Sequence, residues 1–587
     1  MASKSITFLK TTTMRLLLLL IGMMLLQSVT AQVLIKNVNV VDVENKKILA
    51  GYNVVALDGK IVSIDKDRMY KLPDGTEVID GSGKYLMPGL VDAHVHFFQS
   101  GGIYTRPDVI DLRKYQPHEK ELNWVHNNME DFLRRYSSIG ITSVIDVGAS
   151  YNFLAQRDSF TTKTYAPLIK MTGPLLTTWV PEPYKGLEKE SPFAMMETEE
   201  GVRQSVRDQL PLKTDFIKIW YIVLDKDLEK GARKNLPLVK AAIDEAHKHK
   251  LRVAVHATQR ITAQQAVEAG ADFLVHSVDD EIVSKEFVQL LKKNKTVLCP
   301  TVVVVGNYDK ALGDKYYFNT HELSVANPVT VGSILDFPQP DTALAAKYIG
   351  AMSSPMQIKA GQTTDSIMLA NLKLLIDGGV TIATGTDAGN IGTQHASSYY
   401  EELKAMKLAG LSNWQILEAS TINGAKAVGE EKQWGSIAKD KLANMLVLAK
   451  NPLDDIANLQ TIDWVINKGV PMKPSSLVHN TPAMLAQQQL NAYNAHDLEA
   501  FLEPYAEDVE IYNFPDKLEM KGKAEMRKNY QFVTQVPKLH CNLLNRIVQG
   551  NMVIDQEEVF GFGEKPVYAT AIYIIEEGKI KKVYFQQ

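Results

Sequence analysis

Along the middle of this chain, eight short runs of strand-like residues alternate with segments whose apolar residues repeat at helical spacing. The runs fall at 89–97, 141–147, 166–172, 216–222, 252–257, 272–278, 296–304 and 381–386, and clear helical spacing occupies 236–249, 263–269, 283–293 and 366–377. A helix after each strand returns the chain to begin the next strand in the same direction, so the strands must be parallel. Eight parallel strands close into a cylinder with the helices outside. The predicted fold is therefore α/β, a (β/α)8 TIM barrel over residues 83–427.

Two stretches flank the barrel with the two-residue alternation of a half-buried sheet. The first, 32–82, contains Val33-Leu34-Ile35-Lys36-Asn37-Val38 and Lys60-Ile61-Val62-Ser63-Ile64; the second, 428–480, contains Ala443-Asn444-Met445-Leu446-Val447-Leu448 and Trp464-Val465-Ile466-Asn467. Neither is large enough to stand alone, so together they are predicted to form one composite β-sandwich. Beyond residue 482 two helices, 484–493 and 497–505, precede long strands that include 552–560, 568–575 and 580–585. This α+β module, 484–587, has its own apolar pattern and reads as separable. A chain ending near Thr481 is expected to keep the site argued below.

Composition removes several classes of partner. With 64 basic and 68 acidic side chains the formal net charge is −4, so no basic field exists to hold nucleic acid. Cys299 and Cys541 are the two cysteines of the chain and fall in different predicted domains, which excludes a disulfide framework. At the N-terminus Lys4, Lys10 and Arg15 precede the apolar run 16–26, followed by the small residues of Ser28-Val29-Thr30-Ala31. The run is shorter than the roughly 20 residues that span a bilayer. Residues 1–31 therefore read as a cleaved signal peptide. The expectation is an exported protein, periplasmic or secreted, with no stable membrane anchor after cleavage.

The chemistry concentrates at the ends of the predicted strands. His94 and His96 stand two apart in the first run, so both imidazoles share one face. In a barrel that face is the lumen, and active sites are built where the strands meet the following loops. His256 ends the fifth run, His276 ends the sixth, and Asp387 follows the eighth in Gly385-Thr386-Asp387-Ala388. One histidine on an apolar strand is ordinarily a hydrogen-bonded core residue. Four of them with an aspartate, all at strand C-termini, point to a divalent metal of the zinc type.

These residues resemble the metal-dependent amidohydrolase superfamily. The resemblance covers about 33–480 and rests on Pro88-Gly89-Leu90-Val91-Asp92-Ala93-His94-Val95-His96, on Gly140-Ile141-Thr142-Ser143-Val144-Ile145-Asp146, on His256 and His276, and on Gly385-Thr386-Asp387. Within the superfamily the chain is similar to the imidazolonepropionase and Xaa-Pro dipeptidase-like branch. The resemblance implies attack by a metal-held hydroxide on the C–N bond of a small amide, cyclic amide or dipeptide, with Asp387 as general base and then general acid. It also implies that Lys218 is carboxylated and bridges two ions, giving His94, His96, Lys218, His256, His276 and Asp387 as the ligand set. The sequence departs from the pattern after this lysine, where Trp220-Tyr221-Ile222-Val223 replaces a glycine-rich stretch. Two alternatives stay open: a mononuclear deaminase-type member in which Lys218 is not a ligand, and a protein that binds a ligand or oligomerises through its C-terminal module.

Other residues are candidates by position. Arg106, Tyr104 and Gln99 follow the first strand and Arg260 follows the fifth, where each is placed to hold a substrate carboxylate. His395 reads either as a support to the metal ligands or as a helix-capping surface residue. The C-terminal module resembles the SnoaL-like branch of the NTF2-like cones through Tyr493-Asn494-Ala495-His496-Asp497 and the strands ending in Gly578-Lys579-Ile580-Lys581-Lys582-Val583. Asp555 and His540 within it are expected to be structural. Self-association into a homo-oligomer is a further expectation.

Overall fold

The computed structural model describes residues 32–66 and 72–586, so the predicted signal peptide lies outside the described residues. Gln32–Asp42 is the hub of an eight-stranded sheet. It pairs antiparallel with Lys47–Leu57 and parallel with Glu77–Asp80 and Tyr85–Pro88. Met445–Leu448 joins the sheet antiparallel to Tyr85–Pro88, with Met445 opposite Pro88. All four residues of Met445–Leu448 are buried, because the sheet is covered there on both faces. The two flanking stretches thus form one sheet. Tyr85–Pro88 belongs to it, so the chain enters the barrel at Gly89 rather than at residue 83. A Cβ on Gly89 would lie 2.1 Å from Thr142 Oγ1, so only glycine permits this crossing.

The barrel strands are short and parallel. Leu90–Val95, Ile141–Asp146 and Leu168–Met171 form one sheet; Phe193–Met195, Leu175–Thr177, Ile217–Trp220, Val253–His256, Phe273–Val275, Val297–Cys299 and Thr381–Ile382 form the other in that spatial order. The third predicted run, 166–172, is a strand at Leu168–Met171 that pairs with Ile141–Asp146; beyond Gly173-Pro174 a further strand, Leu175–Thr177, pairs with Ile217–Trp220. Proline lacks the amide a continuous strand needs there. The sheets meet through Ala93 N donating to Thr384 O at 2.8 Å, Asp387 N to His94 O at 2.7 Å and Asp215 N to Met171 O at 3.0 Å. The run 296–304 is a strand only at Val297–Cys299 and turns into helix Val303–Leu312. Its valines suit either structure, and periodicity in so short a run does not separate the two.

Helix Lys285–Asn294 shows how the outer helices are specified. Ser284 accepts from Phe287 N at its start, Lys295 takes a left-handed φ of 55° at its end, and Phe287, Val288 and Leu291 form the buried stripe. Between the last two barrel strands the chain inserts further helices, among them Thr320–Val325, Pro328–Leu335 and Thr342–Met352.

The C-terminal module has helices Pro482–Asn494 and Leu498–Leu502 on a six-stranded sheet ordered Lys517–Lys521, Tyr505–Asn513, Lys579–Gln586, Val567–Glu576, Met552–Phe560, His540–Gln549. It is not a free-standing unit. Leu485, Ala486 and Phe501 share one apolar core with Leu323, Ile334 and Phe337 of the inserted helices and with Ile103 and Ile391 of the site loops. The expectation of separability is corrected on this point, because sequence periodicity marks an apolar face without marking its partner. Asp555 is fully buried against Arg546, which grips it at 2.7 and 2.6 Å, and His540 lies 3.5 Å from Asp336.

Candidate active site

His94 belongs to strand Leu90–Val95, whose six residues are all buried, and His96 follows it on the same face. Asp92 is the third inward residue of that series. It accepts from Thr386 N at 3.0 Å, Thr386 Oγ1 at 2.7 Å and His94 N at 3.3 Å, tying the first strand to the segment that carries Asp387. Burial pushes its carboxyl up to about 7.

The Nε2 atoms of His94 and His96 are 3.3 Å apart and lie 3.1 and 3.2 Å from Asp387 Oδ1. The three atoms therefore form a nearly equilateral triangle. Ligands about 2.0–2.2 Å from a tetrahedral ion stand roughly 3.3–3.6 Å from one another, close to these edges. His96 Nδ1 lies 3.1 Å from the Gly148 carbonyl, a contact that places its proton on Nδ1 and leaves the Nε2 lone pair facing the triangle. Asp387 Oδ1, although buried, has no aligned hydrogen-bond donor. Two imidazole nitrogens and a carboxylate oxygen converging on one point suit a cation, and the residues present fit a divalent metal.

His276 and His256 continue the site. Their rings are 4.4 Å apart, and His276 is 4.8 Å from His94. His276 Nδ1 contacts Thr301 Oγ1 at 2.7 Å and lies 3.9 Å from Asp387 Oδ2. Burial lowers the pKa of His94 to about 4, and those of His256 and His276 fall well below the ordinary value for the same reason, which keeps all three neutral as ligands must be. Asp387, His276 and Thr301 take left-handed φ of 62°, 77° and 46°. Each such residue costs about 1–3 kcal/mol, strain that clusters where side chains must be aimed.

Lys218 sits on strand Ile217–Trp220, opposite Ala254, and is 1% exposed. Burial lowers its ammonium pKa to about 7, and it forms no ion pair among the described residues. Lys218, His96, His256, His276, Asp387 and Arg106 line one cavity of about 390 Å³.

The substrate-binding candidates divide. Arg106 reaches this cavity, but its fork is closed on Asp108 at 2.8 and 2.6 Å, and its Nη1 donates to Tyr308 Oη at 2.9 Å and Asn390 Oδ1 at 2.6 Å. Gln99 also lines it, with Oε1 buried and unpaired. Tyr104 faces a different cavity beside Glu121 and Trp124. Arg260 pairs on the surface with Glu281 at 2.7 Å, at the start of helix Arg260–Glu268. Neither lines the cavity that holds His256 and His276. His395 is a buried support rather than a surface cap: its Nε2 contacts Gln99 O at 2.8 Å, its Nδ1 contacts Tyr136 Oη at 3.1 Å, and Phe132 and Phe97 pack against its ring.

Sequence reasoning missed Trp220, Tyr308 and Asn390, which also line the cavity. Trp220 was findable, since it is two residues beyond Lys218 and so on the same face. Tyr308 and Asn390 carry no such signal, because their placement depends on the inserted helix and on the loop after Asp387.

Comparison with known proteins agrees with this geometry. The Amidohydrolase family matches residues 85–472 and the SnoaL-like domain matches residues 486–583. Among solved structures, the chain is similar to a Xaa-Pro dipeptidase with bound methionine in the active site, at 21% identity and TM-score 0.55 over 75% of this chain and 99% of the other. Molinate hydrolase gives 17% identity and TM-score 0.57 over 77% and 97%, and A. niger ochratoxinase 18% and 0.56 over 76% and 96%. Among curated proteins, a stretch of 66 residues is 38% identical to adenine deaminase of Ruegeria sp. (strain TM1040), spanning 11% of this chain and 11% of the relative. A stretch of 68 residues is 47% identical to adenine deaminase of Thermosipho africanus (strain TCF52B), spanning 12% and 11%. The family match covers more than half of the chain and contains every residue of the triangle: the protein belongs to the amidohydrolase family and carries a SnoaL-like domain at its C-terminal end.

Proposed function

We propose that this protein is a metal-dependent hydrolase that cleaves the C–N bond of a small amide, cyclic amide or dipeptide in the cavity beside Asp387. The observation that carries the reading is the triangle of His94 Nε2, His96 Nε2 and Asp387 Oδ1, with edges of 3.1–3.3 Å. His94, His96 and Asp387 would hold one ion; His256 and His276, with a carboxylated Lys218 as bridge, would hold a second. When bound, zinc or a similar divalent ion supplies Lewis acidity to the carbonyl and a water more acidic than bulk. Lys218, with its pKa lowered to about 7, offers the neutral amine that adds to CO2. Asp387 turns Oδ1 to the imidazoles, leaving Oδ2 to take a proton from the attacking water and return it to the leaving nitrogen.

Arg106 is already occupied by Asp108, and Phe98, Phe193 and Trp220 make much of the wall apolar. This supports an amide bearing an apolar acyl or aryl group ahead of a substrate held by its carboxylate. A second reading, a mononuclear deaminase, is favoured by the short likeness to adenine deaminases. In it Lys218 is no ligand and the product is ammonia.

The test is a panel of aryl amides, N-acyl amino acids, dipeptides, cyclic ureas and aminopurines, offered to metal-replete protein while amine and ammonia release are followed. Amine release from amides supports the hydrolase; ammonia from aminopurines alone supports the deaminase. Asp387→Asn is expected to lower kcat by at least about 100-fold, as loss of a positioned acid–base does. Near-normal turnover in that variant removes the shuttle. The residues at 1–31 support export to the periplasm or medium, which cell fractionation with an N-terminal sequence of the mature chain checks. Self-association is part of the same proposal and is read by sedimentation.

A further inference from the structure

The C-terminal module holds a cavity of about 650 Å³, open to solvent, between helix Pro482–Asn494 and its sheet, larger than the 390 Å³ or so beside Asp387. Aromatic rings make much of its wall. Phe501 and Tyr530 are 5.0 Å apart, Tyr530 and Phe532 5.4 Å, and Phe532 and Phe562 5.3 Å, a continuous surface of ring faces and edges.

Into this wall strand Met552–Phe560 projects one acid, Glu557, which is 7% exposed. Its Oε1 accepts from Tyr573 Oη at 2.9 Å, and Gln489 Nε2 donates to the same hydroxyl at 2.9 Å. Its Oε2 has no partner among the described residues. The nearby arginine does not serve it, because both arms of Arg546 are spent on Asp555. Among the described residues no lysine, arginine or histidine lines the cavity, and the other acid there, the exposed Glu519, pairs with Lys517 at 2.6 Å. Burial pushes the Glu557 carboxyl up to about 7.

We propose that this cavity is a second binding site, for a hydrophobic organic cation: an amine whose ammonium pairs with Glu557 and whose hydrocarbon body lies against the rings. An anion would meet negative charge with nothing to balance it. A neutral guest would fill the space but leave Glu557 Oε2 without a charged partner, whereas the carboxylate is ionised above about pH 7. An ammonium satisfies both features, through a charge-assisted hydrogen bond to the carboxylate and through attraction to the ring faces. The inference stands apart from the hydrolytic reading, since it uses none of the residues around Asp387.

The full-length protein is titrated calorimetrically at pH 8 with three probes of similar body: 2-phenylethylamine, 2-phenylethanol and 3-phenylpropanoate. The amine is expected to bind at least tenfold more tightly than the alcohol, and the carboxylate not at all. Glu557→Gln, which preserves shape, should erase the preference for the amine, and Ala569→Phe, which fills the cavity, should abolish binding of every probe; thermal unfolding confirms that both variants are folded. Equal binding of amine and alcohol, undiminished amine binding by Glu557→Gln, or no amine binding at millimolar concentration would each overturn the proposal.

Discussion

Arg106 Nη1 donates to Asn390 Oδ1 at 2.6 Å, and Asn390 in turn donates through Nδ2 to the Asp387 carbonyl at 3.1 Å. An arginine placed by sequence as a substrate anchor thus holds the backbone of the residue that completes the triangle. With Asp387 at a left-handed φ of 62°, that backbone needs an external hold.

Arg106→Lys tests this role. Lysine keeps the charge but cannot bridge Asp108, Tyr308 and Asn390 at once. The expected result is a fall in kcat of about 10- to 100-fold with KM little changed, the effect of a misplaced catalytic group. A large rise in KM with kcat intact would return Arg106 to substrate binding.

Lys218→Ala tests the bridge. Elemental analysis should give about two metals per chain in the wild type and fewer in the variant, since a catalytic ion usually needs three protein ligands and His256 with His276 supply two. A short carboxylic acid should restore part of the activity by replacing the carbamate. One firmly bound metal in both proteins would favour the mononuclear reading.

Glu322 gives a pH test away from the site. It closes a capping box with Asn319 at the start of helix Thr320–Val325, where its Oε2 accepts from Asn319 N at 3.0 Å and Asn319 Nδ2 at 2.7 Å. Burial raises its pKa from 4.5 to about 7. For an acid with a raised folded pKa, the contribution to stability is full below the unfolded value and is lost as pH rises through the folded one. Glutamine keeps the box and does not ionise. Glu322→Gln should therefore match wild type near pH 4.5 and exceed it at pH 8, by on the order of 2 kcal/mol. Chemical unfolding at the two pH values reads the difference, and parallel curves would show that the group is not desolvated.

Truncation tests the shared core. Asn491 Nδ2 donates to Pro328 O at 2.7 Å, and a Cβ on Gly332 would come within 2.7 Å of Gln487 Nε2, so helix Pro482–Asn494 lies directly on Pro328–Leu335. The other side of Pro328–Leu335 holds the site loops: Ser333 Oγ accepts from Ile103 N at 3.1 Å, and Thr330 Oγ1 donates to Gln394 Oε1 at 2.5 Å. A chain ending at Thr481 should lose at least about 5 °C in melting temperature and retain less metal. Unchanged metal content and melting would restore the picture of a separable module.

The local pattern of residues was enough to read the architecture and which side chains face inward at the strand ends. Period two places His94 with His96 and Lys218 with Trp220, and strand–helix alternation brings the ends of separate strands to one rim, because these relations follow from backbone geometry over a few residues. The loops obey no such period. Arg106, Tyr104 and Arg260 occupy equivalent positions after their strands, yet one reaches the cavity with its fork closed on Asp108, one faces another cavity and one pairs with Glu281 on the surface. The same holds for the shifted acids, since the burial of Asp92, Glu322 and Glu557 is set by elements distant in the chain. Only the tertiary structure settles these, because hydrogen-bond partners and desolvation depend on what packs against a side chain, while periodicity reports only the direction in which it leaves the backbone.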